Sequence, residues 1–223
     1  TLNTAAKPCF KYRFERLINY YKNEMKRLDI DVRLNTTITE ENIDSYNPDA
    51  VILATGSQEM ENPIPGAENV VYSDDVLNNR VETGDNVIVI GCGMVGSETA
   101  YHLARQGKKV TVFEALEPAM SVQGIALFRP TGLFDQYNIE VKSHTPIVEI
   151  YEDGVLTVDK MGRKIITKAD TIVSAIGRKP VYNSEFVNKL RDKGLWVIPI
   201  GDAVEARKAE HAVHEGFQAA MNI

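Results

Sequence analysis

Residues 86–100 read NVIVIGCGMVGSETA: an apolar strand, a glycine-rich turn and the opening of a helix. Gly91, Gly93 and Gly96 satisfy the spacing G-x-G-x-x-G, and each glycine has its own task. The first permits a sharp turn, the second lets the main chain approach a pyrophosphate, and the third lets helix and strand pack closely. The helix that follows presents unpaired N–H groups and partial positive charge to phosphate oxygens. Gly91, Cys92, Gly93, Met94, Val95 and Gly96 are therefore candidate cofactor contacts, Cys92 itself reading as a small residue tolerated in a tight turn. KKVTVFE (108–114) is the next strand. It ends in Glu114, close to the roughly 20-residue spacing at which an acid meets the adenosine ribose. A carboxylate there accepts from the ribose hydroxyls and repels a 2′-phosphate, and EALEP (114–118) supplies no arginine, so NAD is expected over NADP. Glu98, placed in the helix's first turn, reads two ways: a surface acid favoured by the helix dipole, or a group reaching the nicotinamide end.

On either side lie further apolar strands that break at glycine: ILATGS (52–57), IVSAIGRKP (172–180) and VIPIGDA (197–203). They nominate Ala54, Thr55, Gly56, Ala175, Gly177, Gly201, Asp202 and Ala203. A strand ending in Gly201–Asp202 offers main-chain N–H groups and one carboxylate, which suits the ribityl and phosphate portion of a flavin dinucleotide. Taken singly such endings are commonly turns; their order around a dinucleotide unit is the signal.

The rest of the chain frames these motifs. Phe14, Leu17, Ile18, Tyr21, Met25 and Leu28 recur at helical spacing. Ile30, Val32 and Leu34 alternate with Asp31 and Arg33, which predicts a short half-buried strand. PDAVILATG (48–56) predicts a strand covered on both faces, and the proline- and glycine-bearing SQEMENPIPGAENV (57–70) predicts a boundary loop. Met94–Gln106 is predicted helical with Ala100, Leu103 and Ala104 inward, and Gly107 to end it. A helix over 126–137, strands at IEVKS, IVEIY, GVLTVD, RKIITK and DTIVSAIG, a helix over 184–193 and a final helix from about Lys208 complete the reading. Charge and composition exclude several classes. The net charge is −6 and no long basic run occurs, against nucleic acid or an anionic membrane as partner. No apolar run reaches bilayer length, and no signal peptide is evident. Two cysteines, Cys9 and Cys92, make neither a disulfide scaffold nor a C-x-x-C pair and suit a reducing, cytoplasmic compartment.

With these motifs in hand, the chain resembles the two-dinucleotide-fold flavoproteins, in which an NAD(P) domain is inserted into an FAD domain. It is most similar to the C-terminal portion of the NADH:flavin oxidoreductases related to 2,4-dienoyl-CoA reductase, 2-enoate reductase and trimethylamine dehydrogenase. The residues that carry this are AAKPCFKYRFERLINYYKNEMKRLDIDVRLNTTIT (5–39), PDAVILATGS, VIVIGCGMVGSETAYHLARQGKKVTVFE (87–114) and IGDAVEARKAEHAVHEGFQAAMNI (200–223). The resemblance implies an α/β fold of glutathione-reductase-like three-layer architecture. It also implies three parts: 1–64 as a partial FAD-binding domain, 65–176 as a Rossmann-like NAD(H) domain, and 177–223 as the return segment of the FAD domain. In such proteins hydride passes from NADH to FAD, then electrons pass through a 4Fe-4S cluster to FMN and reduce an activated carbon–carbon double bond. The FAD fingerprint, the FMN barrel and the cluster ligands are expected outside this sequence, so FAD is expected to bind it poorly; a homo-oligomer is compatible.

By the same resemblance Lys7 and Arg178 line cofactor crevices, the alternative being solvated cations. The turn Lys208–Ala212 faces the flavin, with His214 nearby. His211 and His214 lack the further ligands a metal needs. Cys9 departs from the proline or apolar residue usual near its position. The competing reading is a non-catalytic NAD-sensing module, which has no need of the strand–Gly–Asp–helix ending. A short-chain dehydrogenase would want a Tyr-x-x-x-Lys pair, and none occurs in a suitable setting.

Overall fold

The computed structural model describes residues 1–8, 10–116 and 132–223. In chain order its elements begin with α1 (Leu2–Ala5), α2 (Tyr12–Arg27), β1 (Ala50–Leu53), β2 (Ser57–Glu59), β3 (Val71–Tyr72) and α3 (Ser73–Leu77). The glycine turn lies between β4 (Asn86–Ile90) and α4 (Met94–Arg105), followed by β5 (Lys109–Phe113), α5 (Leu133–Gln136) and β6 (Glu140–Lys142). Then come β7 (Ile147–Tyr151), β8 (Gly154–Val158), β9 (Lys164–Lys168), β10 (Thr171–Ser174) and β11 (Arg178–Pro180). The last elements are α6 (Ser184–Asp192), β12 (Trp196–Pro199) and α7 (Ala209–Met221). Of the helix expected over 126–137, residues 133–136 are helical, and 126–131 lie outside the described residues. Among the described residues no helix is long and apolar enough to cross a membrane.

The chain divides into two compact units, one of Thr4–Tyr12 with Glu59–Gly177, the other of Thr1–Asn3, Arg13–Gln58 and Arg178–Ile223. The first, the nucleotide unit, is built on a five-stranded sheet ordered β3-β10-β4-β5-β6, every pairing parallel. Side chains alternate across a strand, and β4 shows the result. Val87 and Val89 pack with Ala100, Leu103 and Ala104 of α4, while Ile88 and Ile90 pack with Ile150 and Val155 of an antiparallel β7-β8-β9 layer. Helices, parallel sheet and antiparallel sheet are thus three layers. The near-continuous apolar sequence of β4 follows from cover on both faces. Gly107, at φ +87°, ends α4; its N–H reaches Ala104 O at 3.0 Å and Lys108 N–H reaches Leu103 O at 3.3 Å, a closing turn that satisfies the last carbonyls.

The nucleotide unit also includes the strap Thr4–Tyr12. Ala6 and Pro8 are buried, Phe10 packs against Tyr101 of α4 in a tilted pair with ring centroids 5.0 Å apart, and Asn78 Nδ2 donates to Thr4 Oγ1 at 3.0 Å.

The second unit, the flanking unit, contains the parallel pair β1-β12 in the register Ala50↔Trp196 to Leu53↔Pro199. Its core joins Leu53 and Val197 to Val187 and Leu190 of α6 and to Ile43. Asn183 caps α6, accepting the Phe186 N–H at 3.0 Å. Two expectations are corrected here. Ile30, Val32 and Leu34 form no strand, and stand 52%, 52% and 79% exposed; alternation is stable as a strand only beside a ladder partner, and none pairs with this segment among the described residues. β1 is not covered on both faces: Ile52 is 39% exposed because β12 and the α6 core cover one edge and one face. The stripe of α2 is helical as expected, yet no residue of α2 is buried.

Candidate dinucleotide site

The turn after β4 assigns a distinct geometry to each glycine. Gly91 has φ +99°, and a Cβ there would stand 2.5 Å from Ala175 O, so the position excludes side chains twice over. A Cβ on Gly96 would lie 2.1 Å from Gly91 O, which fixes how closely α4 approaches the turn. A Cβ on Gly93 would meet nothing within 4 Å. The space above Gly93 is therefore open main chain at the start of α4, the approach a diphosphate requires. Met94 beside it is exposed and Val95 half-buried. Cys92 is fully buried, its Sγ 3.7 Å from Ser97 Oγ.

Glu114 stands at the end of β5, neighbour to β4. Its Oε2 accepts the Cys92 N–H at 2.7 Å and its Oε1 accepts the Leu116 N–H at 3.0 Å. The sequence brought Glu114 near the turn; the structure adds that both oxygens are oriented by main-chain donors. Glu98 departs from expectation. The first turn of α4 holds no acid, and Glu98 stands just beyond it, 9% exposed and ion-paired with Lys11 of the strap. The surface-acid reading is thereby excluded. Burial pushes the Glu98 carboxyl up, and Lys11 pulls it partly back. No sequence signal pointed to Lys11, whose partner is remote along the chain. Ala175 and Gly177 close β10 beside the turn: Ala175 N–H bonds Ile90 O at 2.8 Å, and Gly177, at φ +138°, is exposed.

In the flanking unit the strand ends form their own cluster. Ser57 Oγ donates to Asp202 Oδ2 at 2.9 Å, and Arg178 donates from Nε to Ser57 Oγ at 3.0 Å and from Nη2 to Ser57 O at 2.9 Å. Arg178 is therefore not a free solvated cation, whereas Lys7 of the strap is exposed. Gly201 N–H donates to Glu215 Oε2 of α7 at 2.6 Å, and Arg207 N–H donates to Asp202 Oδ1 at 3.1 Å while its guanidinium pairs with Glu215. The Gly201 N–H, then Arg207, hold the Glu215 carboxyl below its ordinary value. Gly201 itself has φ +61° and is buried with Ala203. Thr55 Oγ1 bonds Val181 O, and Val181 N–H reaches Gly56 O at 2.9 Å; Ala54 is exposed. On α7, His211 Nδ1 is buried with no hydrogen-bond partner, and His214 is exposed. Ser57, Arg207 and Glu215 escaped sequence reasoning. Ser57 carried one usable signal, a hydroxyl directly after the Gly56 strand end. Cys9 lies outside the described residues.

A parallel sheet, a glycine turn opening a helix, and an acid one strand over define a unit with the Rossmann dinucleotide fold. The comparisons make the assignment specific. The family described as pyridine nucleotide-disulphide oxidoreductase matches residues 10–197, and the chain belongs to it. The chain is 38% identical over 212 residues to the NADH oxidase of Thermoanaerobacter brockii, covering 92% of this chain and 32% of that protein. It is 34% identical over 224 residues to the cinnamate reductase of Clostridium sporogenes, covering 97% and 33%. The solved structure of a 2-naphthoyl-CoA reductase superposes with a TM-score of 0.89 at 29% identity, over 100% of this chain and 34% of that one. The chain thus spans about a third of the length of these relatives. Its fold is that of the FAD/NAD-binding flavoenzymes of this family.

Proposed function

We propose that the nucleotide unit binds NADH for hydride transfer to FAD in a larger flavin-dependent reductase. The observation that carries this is the contrast among three glycines: Gly91 and Gly96 are closed to any side chain, while Gly93 is open where a diphosphate would lie. The residues present fit the nucleotide. Main-chain N–H groups from Gly93 to Gly96 would hold the diphosphate, Glu114 would accept from the ribose hydroxyls, and Ala175 and Gly177 would flank the nicotinamide half. In the flanking unit Thr55, Gly56, Arg178, Gly201, Asp202, Ala203 and His214 would line the FAD. The unpartnered His211 Nδ1 and the Asp202 carboxylate suit its polar groups. The sequence of this unit has no glycine fingerprint of its own, so the flavin's diphosphate would need further polypeptide. FAD held there would supply a hydride acceptor able to release electrons singly or in pairs. On this reading no side chain among the described residues is needed as a nucleophile; those residues would bind, orient and stabilise charge.

Two relatives, a cinnamate reductase and a 2-naphthoyl-CoA reductase, support an enoate- or enoyl-CoA-type acceptor. FMN and a 4Fe-4S cluster would carry electrons to it on polypeptide beyond this chain. The test is fluorescence titration of the chain with NADH and NADPH, with and without FAD. Saturable NADH binding, weaker NADPH binding and no stable yellow complex are expected; NADH binding that leaves the Gly93 amide unperturbed in NMR would overturn the site.

A further inference from the structure

Met60 of the nucleotide unit stands 41% exposed, yet the chain around it is held on both sides. Before it, Glu59 Oε1 accepts from Ser73 Oγ and, at 3.1 Å, from the Asp74 N–H in the first turn of α3. At Met60 itself the N–H donates to Gly177 O at 3.0 Å. After it, buried Asn62 donates through Nδ2 to Ser174 Oγ at 3.1 Å and accepts the Ile64 N–H at 3.0 Å. A segment fixed this closely to the end of β10 presents an apolar side chain in one place.

Sheet order says which part of a dinucleotide would reach it. On the proposed reading Glu114 holds the adenosine ribose at the end of β5. The sheet runs β3-β10-β4-β5-β6, so the other half of an extended dinucleotide leaves the glycine turn toward β10 and crosses the end of that strand. That end is Ala175–Gly177. A Cβ on Gly91 would stand 2.5 Å from Ala175 O, and a Cβ on Gly177 would stand 3.2 Å from Met60 Sδ. The thioether thus covers one side of Gly177, which is itself exposed. A thioether is unbranched and polarisable, and it packs favourably against aromatic rings.

We infer that Met60 is a contact residue for the nicotinamide ring, its thioether forming one wall of the subsite beyond Gly177. This rests on the reading of the turn as an NADH site, and it assigns a side chain to the reactive end of the nucleotide, where that reading names only Ala175 and Gly177. An apolar wall takes up the ring without competing for the hydrogen bonds of its carboxamide.

The test is NMR of the full 223-residue chain with isotope-labelled methionine methyl groups, titrated with NADH and with ADP-ribose, which lacks the nicotinamide. Met94, 45% exposed beside the open Gly93, reports the diphosphate. Its methyl should shift with both ligands, and that of Met60 with NADH alone. Met60→Ala should weaken NADH binding about three- to tenfold and leave ADP-ribose within about twofold of wild type. Met60→Leu, which keeps most of the apolar volume, should stay within about threefold for both ligands. Three outcomes overturn the contact and leave the site standing, each with Met94 responding: a Met60 methyl that ignores NADH, one that shifts alike with ADP-ribose, or equal losses for the two ligands in Met60→Ala. A Met94 methyl that neither ligand moves removes the site reading itself.

Discussion

Two strands with nearly the same ending behave differently. β10 runs into Ala175-Ile176-Gly177 and β1 into Ala54-Thr55-Gly56. β10 lies between β3 and β4, with Ile172, Val173 and Ser174 all buried. β1 has β12 on one edge, and Ile52 stands in solvent. An apolar run ending in glycine therefore encodes a strand and its turn, but the cover on its faces comes from neighbours that the run does not contain. The same contrast separates the helices. α4 buries Ala100, Leu103 and Ala104 in the nucleotide unit, while α2 carries a comparable apolar stripe and buries none of it.

This contrast can be broken most forcefully at the core. Leu103→Ala should destabilise the nucleotide unit by about 2–5 kcal/mol, measured by chemical denaturation followed in β4 and β5. Gly96→Val should follow, since its side chain must displace Gly91 O. Overpacking of that kind costs about 1–3 kcal/mol, and NADH binding should be lost beyond detection by fluorescence. Glu114→Arg should move the NADPH-to-NADH affinity ratio about 10–100-fold upward, and unchanged selectivity would remove Glu114 from the ribose site.

The pH dependence of the two units should have opposite signs. Glu215 is held below its ordinary value of 4.5, so its contribution to the flanking unit is complete above that value and lost as pH falls through its folded value. Glu98 is pushed above its ordinary value of 4.5, so the folded nucleotide unit binds the extra proton there. Its stability should fall as pH rises from that value through the raised one. Hydrogen exchange, corrected for intrinsic rates, would read both in one sample. Glu215→Gln should flatten the first trend and Glu98→Gln the second. Least affected should be Met25→Ala on the uncovered stripe of α2, within about 0.5 kcal/mol of wild type. A loss like that of Leu103→Ala would mean that α2 is covered in solution.

How much was legible follows the range of each interaction. β4, the turn, α4, β5 and Glu114 were all readable, because spacing within one strand–helix–strand unit fixes their meeting. The antiparallel strands β7 to β9 were readable from turn residues between short apolar runs. Lys11 was not, since nothing local distinguishes it from Lys7, and its partner is set by the docking of the strap. The Ser57–Asp202–Arg178 cluster was half legible: its glycines mark strand ends, but hydrogen bonds between separate strand ends depend on tertiary position. Ile30, Val32 and Leu34 misled because alternation records a preference for a pleated surface, and preference without a partner strand leaves the segment irregular.

The way Glu114 is held carries an evolutionary consequence. Its two oxygens each satisfy a main-chain donor, at Cys92 and at Leu116. Any lineage drifting toward a 2′-phosphorylated coenzyme must do more than exchange an acid for a base. Losing the acid orphans two amides at once. A productive changeover would require a second, compensating acceptor for both, so on the proposed reading a single exchange at this position is a costly first step.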